Sequence, residues 1–241
     1  MINLVIPMAG RSSSFAKEGI TTPKPFIDVR GMPMVQRAFE SINLMPYATP
    51  IFVILKEHDI KFEAQKQILD FCPYAQFVII DKVTSGPAET VYKAKELINN
   101  DHELVQTNVD QILDWDSDRF LLYTSREVPD GAVITVETTD PHYSYIKVDY
   151  KGKAVKLAEK EVISKRGLIG THYWMKGSDF IWSYEVAKQK GVNYNGELYI
   201  SQTYNELIEV GKRIHDYRFL KNEYQYPVGD PEQLQKYVTS L

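Results

Sequence analysis

The sequence predicts a three-layer α/β/α fold with a mostly parallel, mixed central sheet. Short, continuous apolar runs alternate with amphipathic segments as far as about residue 140, a pattern typical of strands buried on both faces and joined by helices. Beyond that point a hairpin signal and further strands indicate an added, mixed region. We see no linker, repeat or low-complexity run, so we expect one domain over residues 1–241, with halves at 1–140 and 141–241.

The elements of the first half alternate strictly along the chain. The predicted strands are Ile2–Ile6, Ile51–Leu55, Phe77–Ile80, Leu104–Thr107 and Ala132–Val136. The predicted helices are Met34–Leu44, Ile60–Phe71, Ala88–Ile98 and Arg119–Arg126. Strand–helix–strand repetition at this spacing predicts parallel crossover units.

The second half combines a hairpin with strands and helices. Tyr145–Tyr150 and Ala154–Ala158 flank Lys151-Gly152-Lys153 and predict a hairpin. The remaining predicted elements are strands at Leu168–Trp174 and Arg213–Leu220, and helices at Asp179–Gln189, Leu198–Val210 and Pro231–Val238. Gly211 and Pro231 occupy the positions favoured by a helix C-cap and a first helical turn.

Composition excludes several classes of function. The net charge of −4 argues against a nucleic-acid binder, because neutralising a phosphate backbone needs a basic face. A single cysteine, Cys72, fits a reducing compartment. No segment approaches the roughly 20 apolar residues of a membrane span, and the first strand begins at Ile2, which leaves no room for a signal peptide. We therefore expect a cytoplasmic protein that contacts neither membrane nor nucleic acid.

Small residues follow the first strand. Met8, Ala9, Gly10, Arg11, Ser12 and Ser13 form the loop, and Lys24 follows about a dozen residues later. Small side chains allow backbone amides to approach an anion, and the two cations would offset phosphate charge. The plainer interpretation is an ordinary strand-to-helix connection, since the loop matches neither a Walker nor a dinucleotide motif.

Two further strand ends carry polar residues. Ser85 and Gly86 follow the third predicted strand, and Asn108 and Asp110 follow the fourth. Ligands bind outside the carboxyl ends of strands in open parallel sheets. Mg²⁺ takes one or two carboxylates together with phosphate oxygens, so Asp110 is a candidate Mg²⁺ ligand. The alternative is that Asp110 only caps a turn.

The second half offers candidates at two places. Glu159 and Lys160 end a predicted strand, where the lysine could meet a second phosphate or could simply decorate an edge. Glu197 begins a predicted helix and could be a favourable first-turn acid. The five histidines have no metal-ligand spacing, so a zinc site is not expected, and no nucleophile elbow points to covalent catalysis.

Several motifs, in order along the chain, together resemble the sugar-phosphate nucleotidylyltransferases. The matching segments are Pro7–Phe15 (family form A-G-x-G-[ST]-R-[FLM]), Pro23–Pro25 (P-K-P), Gly31–Met34 (G-[KR]-P-[ML]), Asn108–Gln111 (a metal-binding strand end), Glu159-Lys160 (E-K-P), Gly167–Trp174 (the next strand), Gly196–Ile200 (G-E-L-x-I) and Gly229–Leu234 (G-T-P-E-D-L). They cover residues 1–238, which makes the set far more specific than any single motif. The resemblance implies a nucleotidyltransferase fold of the GT-A, Rossmann-like kind.

The resemblance also implies a division of labour. The loop amides would cradle a triphosphate and Lys24 would act at its α-phosphate. Ser85, Gly86 and Asn108 would contact the nucleotide, and Asp110 would hold Mg²⁺. The residues assigned to the acceptor are Glu159, Lys160, Gly170 and Glu197.

The chain departs from the family pattern in the loop and near the end. Ser12 replaces the second loop glycine and Ser14 replaces the loop arginine, a role for which Arg11 is the available substitute. Pro227 occupies the position of a second metal aspartate in longer members, so Asp230 could serve instead or could cap the last helix.

The expected activity is Mg²⁺-dependent transfer of a nucleoside monophosphate from an NTP to a small phosphorylated acceptor, with release of pyrophosphate. CTP is slightly favoured by chain length, with UTP and dTTP open, and capsule or surface polysaccharide biosynthesis is the expected setting. Two alternatives stay open: a glycosyltransferase that uses an NDP-sugar, and a nucleotide-binding protein of weakened activity. The acceptor and any homo-oligomer are not decided by the sequence.

Overall fold

The computed structural model describes residues 1–240. Its strands are β1 (Ile2–Pro7), β2 (Ala48–Leu55), β3 (Gln76–Ile80), β4 (Glu103–Thr107), β5 (Gln111–Asp114), β6 (Gly131–Glu137), β7 (Ser144–Val148), β8 (Ala154–Ala158), β9 (Arg166–Trp174), β10 (Ile214–Arg218) and β11 (Tyr224–Pro227). Nine of them form one sheet with the central order β10-β6-β9-β4-β1-β2-β3, to which the β7–β8 hairpin is joined through β9. β5 and β11 form a separate antiparallel pair.

Helices cover both faces of the large sheet. They are α1 (Ser13–Ala16), α2 (Met34–Ile42), α3 (Lys56–Phe62), α4 (Ala64–Phe71), α5 (Pro87–Tyr92), α6 (Lys95–Ile98), α7 (Ser117–Glu127), α8 (Gly177–Gln189), α9 (Ile200–Glu209) and α10 (Pro231–Thr239), with a 3-10 turn at Lys24–Phe26. No helix in residues 1–240 combines the length and the apolar character needed to cross a membrane.

The predicted fold class is confirmed. β3, β2, β1 and β4 run parallel, and β10 is parallel to β6. β9 is antiparallel to both of its neighbours, β4 and β6, so strands from the two halves of the sequence alternate within one sheet. The assignment of the halves at 1–140 and 141–241 to separate tasks stays a prediction.

Alternating side chains of the strands supply two apolar cores. Val5 packs in the core that contains Trp174 and Tyr204, whereas its neighbours Leu4 and Ile6 pack in the core on the other face. All five side chains are almost fully buried, which explains why β1 is a continuous apolar run. Burial on both faces leaves the strand ends as the places where polar groups can meet a ligand.

The structure divides two of the predicted helices and adds elements that were not predicted, among them α1 and the pair of β5 and β11. The predicted helix 60–71 is two helices, because Glu63 adopts a left-handed conformation with φ of 50°. The predicted helix 88–98 is likewise divided after Tyr92. β5 and β11 were not predicted, since each has only 4 residues and pairs with a strand distant in the sequence. α7 begins with a cap at Asp116, whose carboxylate accepts a hydrogen bond from the Arg119 amide.

Candidate active site

A cavity of about 910 Å³ opens at the carboxyl end of β4 and extends between β9 and the start of α9. Its wall includes six of the residues singled out from the sequence: Asn108, Asp110, Glu159, Lys160, Gly170 and Asp230. The loop after β1, Lys24, Ser85, Gly86 and Glu197 do not line it. The cavity therefore gathers the residues assigned to the metal and most of those assigned to the acceptor.

An ion pair connects the loop side of the site to the cavity. Lys24 Nζ lies 2.6 Å from Asp110 Oδ2, with about a quarter of each side chain exposed. Asp110 is held by the segment beside it, since its carbonyl accepts a hydrogen bond from the Val228 amide at 2.9 Å. The candidate phosphate-binding cation and the candidate metal ligand are thus in direct contact.

The two serines that replace family residues in the loop both have structural roles. Ser12 has φ of 53°, a left-handed conformation that glycine adopts without steric cost, at the position where the family has glycine. Its Oγ accepts a hydrogen bond from the Lys24 amide at 2.7 Å. Ser14 Oγ donates to the Gly229 carbonyl at 3.0 Å. The serines therefore fix the loop against Lys24 and against the segment before α10.

The loop itself keeps its backbone donors free. None of the amides from Ala9 to Ser14 donates to a backbone carbonyl within residues 1–240, whereas the Met8 amide donates to the Val53 carbonyl. Met8 and Ala9 are buried, and Gly10, Arg11 and Ser13 are exposed. Arg11 forms no ion pair in the described part of the chain, so its substitution for the family arginine stays a prediction.

Gly170 is a glycine because two side chains occupy the space beside it. A Cβ there would lie 2.2 Å from Asn108 Nδ2 and 2.8 Å from Gln111 Nε2. The Gly170 amide donates to Gln111 Oε1, and its carbonyl accepts a hydrogen bond from the Asn108 amide. Both backbone groups of Gly170 are thus hydrogen-bonded. Because it has no side chain, those of Asn108 and Gln111 can pack beside it in the cavity wall.

Gly86 is required by a neighbouring turn. A Cβ at Gly86 would lie 2.9 Å from the Leu198 carbonyl oxygen. Ser85 donates through its hydroxyl and its amide to Glu89, and the hydroxyl contact is the main reason that the pKa of Glu89 falls to about 2. Glu197, next to Leu198, is exposed. Contacts of Ser85 and Gly86 with a nucleotide, and of Glu197 with an acceptor, stay predictions.

Glu159 is a buried carboxylate without a cation. Only 8% of the residue is exposed, and its Oε2 accepts hydrogen bonds from Ser201 Oγ at 2.8 Å and from Ser144 Oγ. No Lys, Arg or His side chain forms an ion pair with it among residues 1–240. Lys160, the next residue, is exposed and lies 5.2 Å from the Tyr199 ring centroid. A buried anion of this kind needs hydrogen-bond donors to be stable, and a ligand in the cavity could supply them.

His172 was missed by the sequence reasoning. It lines the same cavity, is 6% exposed and stacks against Trp174 and Tyr204 at ring-centroid distances of 6.0 and 5.7 Å. Its Nδ1 is buried without a hydrogen-bond partner, a condition that costs about 1–3 kcal/mol. Burial lowers the pKa of the imidazole to about 3, so the ring is neutral at physiological pH. Its position two residues after Gly170, on the same strand face, is the signal that could have found it.

The acidic residues fit a site that holds Mg²⁺ with few protein ligands. No cluster of three or more His, Cys, Asp or Glu side chains in residues 1–240 could enclose a metal. Asp110 and Asp230 both line the cavity, and a Cβ on Gly229 would lie 2.9 Å from Asp110 Oδ2. Asp230 also caps α10, because its Oδ1 accepts a hydrogen bond from the Gln233 amide. Two carboxylates match the preference of Mg²⁺ for one or two carboxylates plus phosphate oxygens.

Comparison with known proteins finds one family over most of the chain. The profile of the Nucleotidyl transferase family matches residues 19–238. The curated relative "Bifunctional protein GlmU" of Methanococcus maripaludis (strain C5 / ATCC BAA-1333) is 24% identical over 236 residues. The match covers 95% of this chain and 52% of that protein, so the chain spans about half the length of the curated relative.

Solved structures show the same fold. A nucleoside-diphosphate-sugar pyrophosphorylase from Vibrio cholerae RC9 superposes with a TM-score of 0.84 at 24% identity, covering 98% of this chain and 99% of the other. A UDP-glucose pyrophosphorylase complexed with UDP-glucose superposes with a TM-score of 0.78 at 18% identity, covering 100% and 98%. Together with the profile match, the ordered motifs and the site geometry lead to one conclusion: the chain belongs to the nucleotidyl transferase family.

Proposed function

We propose that this protein transfers a nucleoside monophosphate from an NTP to a small phosphorylated acceptor and releases pyrophosphate. The observation that carries the proposal is the Lys24–Asp110 contact of 2.6 Å. It joins a loop with free backbone amides to a cavity that contains a buried carboxylate. A triphosphate on one side and an acceptor on the other would then meet at the contact.

On the nucleotide side, the chain's task is to bind and neutralise phosphate. The amides of the loop from Ala9 to Ser14 are free to donate to phosphate oxygens, as in other anion sites built from consecutive amides. Lys24 would move from Asp110 to the α-phosphate, where negative charge increases in the transition state. Ser12 positions Lys24 through the hydrogen bond to its amide.

On the acceptor side, the chain's task is to orient the attacking phosphate. Lys160 is an exposed cation at the cavity wall and would bind the acceptor phosphate. Glu159 would accept hydrogen bonds from the far end of the acceptor. Holding both substrates in line supplies much of the rate enhancement, because phosphoryl transfer depends on positioning and charge stabilisation. No covalent nucleophile from the protein is needed.

Asp110 and Asp230 would hold Mg²⁺. When bound, the ion neutralises charge on the triphosphate and stabilises the leaving pyrophosphate. Asp110 would bind Mg²⁺ in place of its ion pair with Lys24.

The test is a pyrophosphate-release assay on the purified chain with MgCl₂. It crosses CTP, UTP, dTTP, ATP and GTP with glucose 1-phosphate, glycerol 3-phosphate and phosphocholine. UTP and glucose 1-phosphate are included because they would form UDP-glucose, which is bound to one of the solved relatives. dTTP is included because the sequence left it open, and CTP because of the chain length. Turnover with at least one pair of NTP and acceptor supports the proposal if EDTA abolishes that turnover.

Two results would contradict it. Release of a nucleoside diphosphate from an NDP-sugar without pyrophosphate would indicate a glycosyltransferase. NTP binding without turnover across the whole panel would indicate a nucleotide-binding protein. Asp110→Asn is the matched variant, since it keeps the size of the side chain while removing the charge, and it should abolish the EDTA-sensitive signal.

A further inference from the structure

The cavity wall contains two buried polar side chains that the protein leaves incompletely bonded. Glu159 has no cationic partner, and His172 forms no side-chain hydrogen bond with the rest of residues 1–240; its Nδ1 is buried. His172 is one of the histidines that the motif analysis set aside for lack of metal-ligand spacing. Glu159 belongs to the segment that resembles E-K-P, and His172 lies within Gly167–Trp174, the segment that resembles the next strand, where the resemblance gave it no role.

α9 holds both side chains from one face. Ser201 Oγ donates to Glu159 at 2.8 Å, and the Tyr204 ring stacks on His172 at 5.7 Å with 24° between the planes. Residues three apart lie on the same face of a helix, so the two contacts are about one helical turn apart. Glu159 and His172 therefore both contact the same face of α9, and both line the cavity.

The stack fixes the imidazole. The ring centroids of Trp174 and Tyr204 are 4.8 Å apart and their ring planes are nearly parallel, at 8°. The His172 ring stacks against both. Tyr204 is anchored in turn, because its hydroxyl donates to the Tyr173 carbonyl at 3.0 Å. These contacts restrict the plane of the imidazole ring.

We propose that His172 is a specificity-determining residue that hydrogen-bonds the hydroxyl-bearing end of the acceptor beside Glu159, an inference that rests on the proposed function. A hydroxyl group both donates and accepts a hydrogen bond. Neighbouring hydroxyls can therefore donate to the Glu159 carboxylate and pair with a neutral imidazole. Neutrality follows from burial, which lowers the pKa of His172 to about 3. A quaternary ammonium head has no N–H or O–H and could satisfy neither group by hydrogen bonding.

The central variant is His172→Phe, which keeps a stacking ring and removes both nitrogens. We expect KM for glucose 1-phosphate to rise about tenfold, the scale of one lost hydrogen bond, with KM for the NTP unchanged. His172→Asn, which restores a hydrogen-bonding group, should recover part of the loss. Any turnover with phosphocholine should be unaffected by either variant.

The matched control is His58→Phe. His58 is also a buried histidine whose Nδ1 has no partner, but it lies on α3 and does not line the cavity. A merely structural role for His172 would change thermal stability and leave the acceptor KM as it is. Melting temperatures of both variants are therefore measured beside the kinetics.

A second readout does not depend on turnover. The imidazole nitrogens of ¹⁵N-histidine-labelled protein are followed by NMR while glucose 1-phosphate or glycerol 3-phosphate is added, and the His172 signals are assigned with His172→Asn. A shift of the His172 nitrogens on saturation supports the proposal even if no NTP is turned over, which would overturn only the proposed function. Unmoved His172 nitrogens, or an unchanged acceptor KM in a His172→Phe enzyme that turns over, would overturn the inference.

Discussion

The loop after β1 differs in its free polar groups from the part of the cavity lined by Glu159 and His172, which is called the chamber below. The loop is exposed at Gly10, Arg11 and Ser13 and offers unpaired backbone amides. Its side chains Ser12 and Ser14 are hydrogen-bonded to other parts of the protein. The chamber offers buried side chains instead: Glu159, which has no cationic partner, and His172, which forms no side-chain hydrogen bond within residues 1–240. Backbone amides bind any phosphate chain alike, whereas fixed side chains distinguish one acceptor from another. Under the proposed function, the loop would bind the triphosphate common to all NTPs and the chamber would select the acceptor.

Lys24→Ala tests the loop side and has the largest expected effect. Removing one preorganised charge that stabilises the transition state should lower kcat by about 10²–10³. The measurement is the pyrophosphate-release rate at saturating substrates. Lys17→Ala removes an exposed lysine close to the loop and should keep the rate of the parent protein. A Lys24→Ala enzyme with nearly normal kcat would remove Lys24 from the mechanism.

Glu159→Gln tests the chamber side. Hydrogen bonds to a charged group contribute about 1.5–3 kcal/mol, so kcat/KM for the acceptor should fall about 10- to 100-fold while KM for the NTP is unchanged. Steady-state kinetics, with the NTP and the acceptor varied in turn, measures the two parameters separately. Glu161→Gln, at an exposed carboxylate two residues away, is the control. Equal losses for both substrates would mean that the chamber is not selective for the acceptor.

The pH dependence of stability tests the environment of His172. Burial lowers the pKa of its imidazole to about 3 in the folded protein, whereas the unfolded chain has the ordinary value of about 6.5. Below pH 6.5 the unfolded state takes up a proton that the folded state does not, so stability falls with falling pH. Lowering the pH from 7 to 5 should therefore reduce the free energy of unfolding by about 2 kcal/mol because of His172.

His172→Phe should therefore lose less stability than the parent protein between pH 7 and pH 5, as measured by urea unfolding. The effect is absent above pH 7, where the imidazole is neutral in both states. His58→Phe corrects for a second histidine whose pKa is lowered by burial. Parallel pH profiles for the parent protein and His172→Phe would show that His172 can be protonated in the folded state.

Ser14→Ala has the smallest expected effect. It removes the hydrogen bond to the Gly229 carbonyl, 3.0 Å long, which joins the loop to the segment before α10. We expect the free energy of unfolding to fall by about 1 kcal/mol, measured by urea unfolding. Ser125→Ala, at an exposed position of α7, should cost no stability. A fully stable Ser14→Ala protein would mean that the loop is fixed by other contacts.

Local sequence patterns were sufficient for the layers of the fold and for one side of the site. The alternation of apolar runs and amphipathic segments predicted the parallel strands, since burial on both faces leaves a continuous apolar run such as β1. Strand-end position predicted Asp110 and Glu159, both of which line the cavity. The cap at Asp230 was one of two alternatives, and the structure confirms it.

The remaining features depend on contacts between residues far apart in the sequence. The pairing of β5 with β11 joins Gln111–Asp114 to Tyr224–Pro227, and neither short segment predicts the other. His172 has no motif of its own, because its significance comes from the stack with Tyr204, which is 32 residues later in the numbering of the chain. The Lys24–Asp110 contact likewise spans 86 residues. Such features follow from the sheet order, which local periodicity does not contain.

The most direct test of the account follows the α-phosphorus of the NTP. The best NTP–acceptor pair from the panel is supplied with ³²P at the α position, and product and pyrophosphate are counted together. The account predicts that the label enters the acceptor product, with one pyrophosphate released for each label transferred, and that Asp110→Asn abolishes both. Label that remains in free nucleotide, or release of inorganic phosphate in place of pyrophosphate, would contradict the central claim.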